Sequence, residues 1–254
     1  MAWERYSGEV AGDVRILADV ESPQLGNHRD LLAYLPISHG SGLRFPALYM
    51  HDGQNLFDEA TSNSGEWRAD ETMEDLAREG IEAIVVGIPH AGDERGVEYA
   101  GARAAAYLDF VADTVRPLVE DAFDAAARRE ARGIAGSSLG GVISLHGLYA
   151  RRDVFGFAGV FSPAFWWNDD TLFPVVESEE PPEARIYIDV GDEEWNDGED
   201  TRRSYVEGFE RMTGLLRARG FDDRSLCAVL EPGGAHHESD WARRLPDALR
   251  FLLD

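Results

Sequence analysis

The chain has 254 residues and a formal net charge of −24, from 48 acidic and 24 basic residues, and every basic residue is an arginine. A negative field of that size repels nucleic acid and anionic lipid surfaces, so neither is an expected partner. No stretch of 18 apolar residues is present, which excludes a membrane-spanning helix. The first residues, Met1-Ala2-Trp3-Glu4-Arg5, lack the apolar core of a secretion signal, and the single cysteine, Cys227, has no partner for a disulfide within the chain. These features point to a soluble protein in a reducing, cytoplasmic setting.

The predicted elements begin with two strands, Val14 to Val20 and Arg29 to Leu35, divided by Ser22-Pro23 and Gly26-Asn27. A third, Phe45 to Met50, is short and apolar enough to be covered on both faces. It runs into His51-Asp52-Gly53-Gln54-Asn55-Leu56-Phe57-Asp58, a polar loop at the carboxyl edge of a strand, where α/β sheets bind ligands. Trp67 to Gly80 carries helical periodicity. Ile84 to Ile88 is a continuous apolar strand, followed by the polar loop Pro89 to Tyr99, in which Arg95 and Glu98 either pair and brace the loop or stand as surface charges. Tyr107 to Ala127 reads as one long amphipathic helix with a kink at Pro117.

The next stretch organises the rest. Arg132-Gly133-Ile134-Ala135 is a short strand, Val142 to Ala150 a helix, and Gly136-Ser137-Ser138-Leu139-Gly140-Gly141 lies between them. This is a G-x-S-x-G centred on Ser138, with Ser137 one place off the centre. Strand, tight turn and helix around a serine are the setting of a nucleophile elbow. A side chain at Gly136 or Gly140 is expected to collide where strand and helix approach.

After it come the strand Phe157 to Phe161 and the aromatic run Phe165-Trp166-Trp167, either a wall of a substrate pocket or a lid on the sheet edge. The strand Arg185 to Val190 leads into Gly191 to Asp197, a loop dense in carboxylates. That loop lacks the D-x-[DN]-x-[DN]-G order of a calcium site, so no metal is expected. A helix from Thr201 to Gly220 and a strand from Ser225 to Leu230 follow. Glu231 to Glu238 holds His236 and His237, and a last helix runs from Ser239 to Leu253. No H-E-x-x-H accompanies the histidine pair. The alternation of strands and helices predicts an α/β fold: a mostly parallel, eight-stranded sheet covered by helices on both faces, in a single domain over residues 1–254.

A serine hydroxyl needs a base within hydrogen-bond reach, and the base needs a third group to fix its tautomer. The chain supplies serine, acid and histidine in that order, each in a loop at the carboxyl edge. His236 is preferred over His237 because Gly233 and Gly234 let the loop turn inward just before it. The acid is Glu194 or Asp192. Gln54, or its neighbour Gly53, and Leu139 would offer backbone N–H groups to an oxyanion. His51, Asp52, Arg95, Phe165, Trp166 and Trp167 complete the candidate pocket, with His51 read as packing rather than as a base.

Several blocks carry a family resemblance. They are Ser22-Pro23-Gln24-Leu25-Gly26-Asn27, the Tyr49 to Asp58 block, Glu94-Arg95 with Glu98-Tyr99, and Gly136 to Gly141. Ser162-Pro163 with Trp166-Trp167, and Gly233 to Glu238 with Trp241 and Arg244, complete the set. Together they resemble the putative esterase family of the α/β-hydrolase superfamily, with its esterase D-like, enterochelin esterase-like and feruloyl or acetyl xylan esterase members and its mycolyltransferase relatives. The resemblance implies the α/β-hydrolase fold, with Ser138 as nucleophile, His236 as catalytic histidine and Glu194 as acid. His237 departs from it, standing where a small polar residue such as Asn is expected. What it implies is hydrolysis of a small-molecule ester through an acyl-enzyme, with no cofactor; the blocks specify no substrate, and the run Phe165-Trp166-Trp167 suits aryl or acylated-carbohydrate esters. The alternatives are acyl transfer to a sugar or alcohol, hydrolysis of siderophore esters, and a silent hydrolase-fold binding protein. Iron-loaded siderophores would need Arg95 or Arg103 gathered at the mouth of the site.

Overall fold

The computed structural model describes residues 2–167, 171–194 and 199–254. Its strands are β1 (Glu4–Arg5), β2 (Asp13–Ser22), β3 (Asn27–Leu35), β4 (Ala47–His51), β5 (Ile84–Ile88), β6 (Arg132–Ser137), β7 (Phe157–Phe161), β8 (Arg185–Gly191) and β9 (Leu226–Glu231). Its helices are α1 (Ala69–Ala77), α2 (Arg95–Ala100), α3 (Ala104–Phe110), α4 (Arg116–Ala122), α5 (Leu139–Ala150), α6 (Leu172–Ser178), α7 (Glu199–Ala218) and α8 (Glu238–Leu253).

The strands form one sheet in the order β1-β2-β3-β5-β4-β6-β7-β8-β9. From β5 to β9 every pairing is parallel, while β1, β2 and β3 join antiparallel. The sheet therefore has nine strands where the sequence pattern predicts eight. The extra one, β1, is two exposed polar residues that add to the edge of β2, too short to leave a period in the sequence.

The central strands are buried on both sides, and their side chains alternate between two cores. Along β4, Ala47 and Tyr49 join one core and Leu48 and Met50 the other. The first core packs under α3, α5, α6 and α7 through residues such as Leu108, Ile143, Phe173 and Met212. The second packs under α1 and α8 through Met73, Leu76, Trp241, Leu245 and Leu249. Each large apolar side chain buried this way contributes about 1.5–3 kcal/mol.

The long helix expected from Tyr107 to Ala127 is instead α3, a π turn at Val111–Val115, and α4 ending at Ala122. Pro117 has no N–H to give, and the wider turn just before it absorbs the missing bond. The Pro89 to Tyr99 stretch, expected as a loop, contains α2.

Candidate active site

Ser138 stands between β6 and α5 at φ 59° and ψ −121°, a conformation that costs an L residue about 1–3 kcal/mol. The strain is held by the backbone: Ser138 N–H donates to Phe161 O at 2.9 Å, and Gly141 and Val142 N–H return to Ser138 O at 3.1 and 3.2 Å. Of the two flanking glycines, Gly136 is the one required by space. A Cβ there would lie 3.0 Å from the His51 ring and 3.1 Å from Gly140, whereas a Cβ at Gly140 would meet only ordinary contacts at 3.4 Å and beyond. The collision expected at Gly140 is not found.

His236 and Ser138 line one cleft of about 380 Å³, with Asp52, Gln54, Asn55, Arg95 and Glu238 among its walls. His236 Nδ1 lies 2.6 Å from Glu194 Oε2. Glu194 is fully buried, and its other oxygen accepts from Gly191 N–H at 2.8 Å and Ser162 Oγ at 2.5 Å. Asp192, the alternative acid, accepts from Gly233 N–H at 2.6 Å and ties the two loops together. Asp197, in the same predicted loop, lies outside the described residues. His237 is the N-cap of α8, its side chain accepting from Ser239 N–H. The choices between adjacent histidines and nearby carboxylates thus separate by contact: one histidine and one carboxylate meet, and the others build the loops that bring them together.

On the opposite wall, Asp52 opens a 3-10 turn over Gly53–Asn55 with φ 55°. A Cβ on Gly53 would sit 2.4 Å from the Gly87 and Ile88 backbone, so the turn can press against β5 only with glycine there. Gln54 is anchored on both sides, since Thr61 Oγ1 donates to its carbonyl at 2.7 Å and His90 N–H to its side-chain oxygen at 3.3 Å. The bonds of this turn start at Asn55 N–H. The N–H of Leu139 is one of the amino-terminal donors of α5 that no helical carbonyl can satisfy. Gln54 lines the cleft together with Ser138, and Leu139 follows Ser138 as the first residue of α5.

Arg95 pairs bidentately with Asp52, both bonds 2.8 Å, and stacks over Tyr99. It does not pair with Glu98, which is buried against Arg29 and Asn27. Arg103 is engaged by Glu94 and by Leu25 O. His51 closes β4 rather than opening the loop and does not line the cleft. It is buried beneath the elbow, hydrogen-bonded through Nδ1 to Tyr107 Oη at 2.7 Å, and burial pushes its pKa down to about 3. It is a neutral packing group.

The three predicted pocket aromatics separate as well. Phe165 is buried in the core against Phe173, and Phe165 and Trp167 line a neighbouring pocket of about 290 Å³ rather than this cleft. Trp166 is partly exposed and packs edge-on against Tyr205, whose ring in turn lies 4.8 Å from that of His236. Tyr205 escapes the sequence reading because helical periodicity marks it only as packing. Burial pushes its phenol up to about 12, and a hydrogen bond with Ser138 works in the other direction. Ser162 and Arg244 reach the site from behind Glu194, and Trp241, which contacts Ser162, also lines the cleft. Their only trace in the sequence is membership of the recurring blocks.

Comparison with known proteins adds the family context. A family model described as "Putative esterase" matches residues 22–252. The uncharacterized protein YbbA of Bacillus subtilis is 27% identical over 234 residues, covering 89% of this chain and 93% of that one. The siderophore triacetylfusarinine C esterase of Aspergillus fumigatus is 33% identical over 140 residues, covering 48% and 45%. Among solved structures, the siderophore hydrolase EstA of Aspergillus nidulans superposes with a TM-score of 0.74 at 19% identity, covering 99% of this chain and 98% of that one. The enterobactin esterase of Shigella flexneri superposes with a TM-score of 0.73 at 18% identity, and 98% of this chain spans 60% of that protein. These structural likenesses establish a shared α/β-hydrolase fold. Among the described residues, no helix is long and apolar enough to cross a membrane.

Proposed function

The chain belongs to the Putative esterase family, which makes it a carboxylic ester hydrolase, and from that premise we propose that it works as a serine hydrolase through Ser138, His236 and Glu194. The observation that carries this reading is the 2.6 Å contact of His236 Nδ1 with a buried carboxylate, in a cleft shared with a serine held at φ 59°. Glu194 fixes the imidazole so that Nε2 is the basic nitrogen. Nε2 takes the Ser138 proton as Oγ attacks the ester carbonyl. The tetrahedral oxyanion is met by the N–H groups of Gln54 and Leu139, each contributing about 3–4 kcal/mol. His236 then returns the proton to the departing alcohol. Water, deprotonated by the same imidazole, releases the acid from the acyl-enzyme.

The substrate in this reading is a small aryl or acylated-carbohydrate ester, with Trp166 and Tyr205 offering ring faces beside His236. A siderophore ester is the second reading, favoured by the likeness to the siderophore esterases of Aspergillus and the enterobactin esterase of Shigella. Electrostatics qualifies it. Arg95, which lines the cleft, is already engaged by Asp52, and the chain carries −24. A less anionic, iron-free ester is then the better substrate of that class.

The test is reaction with a fluorophosphonate, read by intact mass, beside hydrolysis of a short-chain aryl ester. One adduct on the wild type and none on Ser138→Ala, with turnover lost in parallel, is expected. A well-folded wild type with neither adduct nor turnover would overturn the reading. A panel of feruloyl, acetyl-sugar and iron-free siderophore esters, run with and without an alcohol acceptor, then ranks substrates and acceptors by kcat/KM.

A further inference from the structure

Behind the acid lies a polar cluster that the reaction scheme does not use. Ser162 is fully buried and held at φ 39°. Its N–H lies 3.1 Å from Asp189 Oδ1 and 3.0 Å from Asp189 O. Its hydroxyl has three neighbours: Glu194 Oε1 at 2.5 Å, Trp241 Nε1 at 2.9 Å and Arg244 Nη2 at 3.1 Å. An indole N–H and a guanidinium can only donate. They occupy the acceptor capacity of Oγ, so the one Ser162 proton has a single destination, the Glu194 carboxylate. The proton position follows from the chemistry of the neighbours.

The cluster then closes on itself. Glu194 holds His236 through Nδ1, and Trp241, the residue that orients Ser162, packs edge-on against the His236 ring at 4.9 Å. Arg244 stands on the same face of α8, one turn after Trp241, and its charge is shared among Asp189 at 3.4 Å, Glu231 at 3.3 Å and Glu194 at 3.9 Å. Tyr187 Oη donates to Asp189 from below at 3.0 Å. Among the described residues, the charged groups in contact with Ser162 are Glu194, Asp189 and Arg244, with Glu231 beyond Arg244 and His236 beyond Glu194.

We propose that Ser162 is a positioning residue for the acid of the triad, a hydroxyl whose donation is enforced by Trp241 and Arg244 and whose effect reaches the reaction through Glu194 and His236. The proposal rests on the serine-hydrolase reading above. Ser162 has two effects. It fixes the carboxylate plane, so that Oε2 rather than Oε1 faces the imidazole. It also withdraws charge from the carboxylate, which tempers the basicity that Glu194 confers on His236.

The second effect separates positioning from mere packing. In Ser162→Ala the carboxylate loses a donor, its charge falls more fully on His236, and the imidazolium is favoured. The acid limb of the kcat/KM–pH profile then moves to higher pH. kcat should fall about tenfold while KM changes little, since the hydroxyl touches no substrate. The downfield proton resonance of His236 Nδ1–H should move further downfield. Trp241→Phe keeps a ring against His236 and Trp67 while removing the donor to Ser162. It should shift the acid limb in the same direction with a smaller loss, which reads the same bond should Ser162→Ala fail to fold.

A folded Ser162→Ala or Trp241→Phe with a wild-type acid limb, an unmoved His236 resonance and wild-type kcat would overturn the proposal. In that event the wild type would still label with fluorophosphonate and the serine-hydrolase reading would stand. A wild type that neither labels nor hydrolyses any ester removes the reading and the proposal together.

Discussion

The two walls beside Ser138 hold polar groups in the interior by different means. On the β8, β9 and α8 side, charges are buried and matched: Glu194, Asp189 and Glu231 against Arg244, with Ser162 and Trp241 as fixed donors. On the β4, β5 and α2 side the buried centre is a neutral imidazole, His51, set among Tyr99 and Tyr107; Arg29–Glu98 is a buried ion pair there, and a second pair, Asp52–Arg95, stands nearer the solvent. In the proposed reaction the first wall is the one that meets a proton arriving on His236, and its charges share one cation, Arg244. The second wall holds a backbone turn with rings, a glycine contact and two separate ion pairs.

The comparison predicts unequal consequences for removing charge. Glu194→Gln keeps shape and removes the counter-charge, leaving the wrong imidazole tautomer. Turnover of an aryl ester should fall on the order of a thousandfold or more, and a tenfold loss or less would refute the assignment of the acid. Arg244→Met leaves Asp189, Glu194 and Glu231 without their shared cation in a dry site. Denaturant unfolding should show a loss of about 3–5 kcal/mol. Asp52→Asn breaks a pair whose arginine is 26% exposed, so water relieves part of the cost. About 2 kcal/mol is expected, with a several-fold loss of kcat as the turn bearing Gln54 loosens.

The walls should also titrate in opposite senses. Burial pushes Asp189 up to about 7, with Arg244 opposing it, so the folded state binds its proton more tightly than the unfolded chain. That contribution is complete below the ordinary carboxylate pKa and is lost as pH rises through 7. Burial pushes His51 down to about 3, so its contribution is complete above the ordinary imidazole pKa and is lost as pH falls from there toward 3. At pH 5 the His51 loss is about 2 kcal/mol. Unfolding free energies measured from pH 4 to 9 should fall at both ends. His51→Gln should flatten the acid side alone, and an unchanged acid slope would refute this account.

The sequence made the sheet, the elbow and the Ser–acid–His order legible because each rests on local chemistry. Short continuous apolar runs bounded by turn residues fit buried strands, and a serine between glycines at a strand–helix junction has few other uses. The family blocks narrowed two histidines and two carboxylates to His236 and Glu194, and the structure brings that pair together. What escaped depends on distance in the chain. Trp241 and Arg244 lie 79 and 82 residues from Ser162, and no period links them. Phe165, Trp166 and Trp167 read as one unit, a pocket wall or a lid, yet a turn sends the first into the core and leaves the other two partly exposed. His51 packs as read, but beneath the elbow rather than in the cleft, and Arg95 and Glu98 neither pair nor both stand at the surface, because their partners lie elsewhere in the chain.

One consequence of α8 concerns time rather than energy. The helix that carries Trp241 and Arg244 is made after all nine strands. The clamp on Glu194 is complete only once this helix has docked, and the same helix closes the second core through Trp241, Leu245 and Leu249. A chain ended before Trp241 is expected to lack both the support of the acid and the cover of that core.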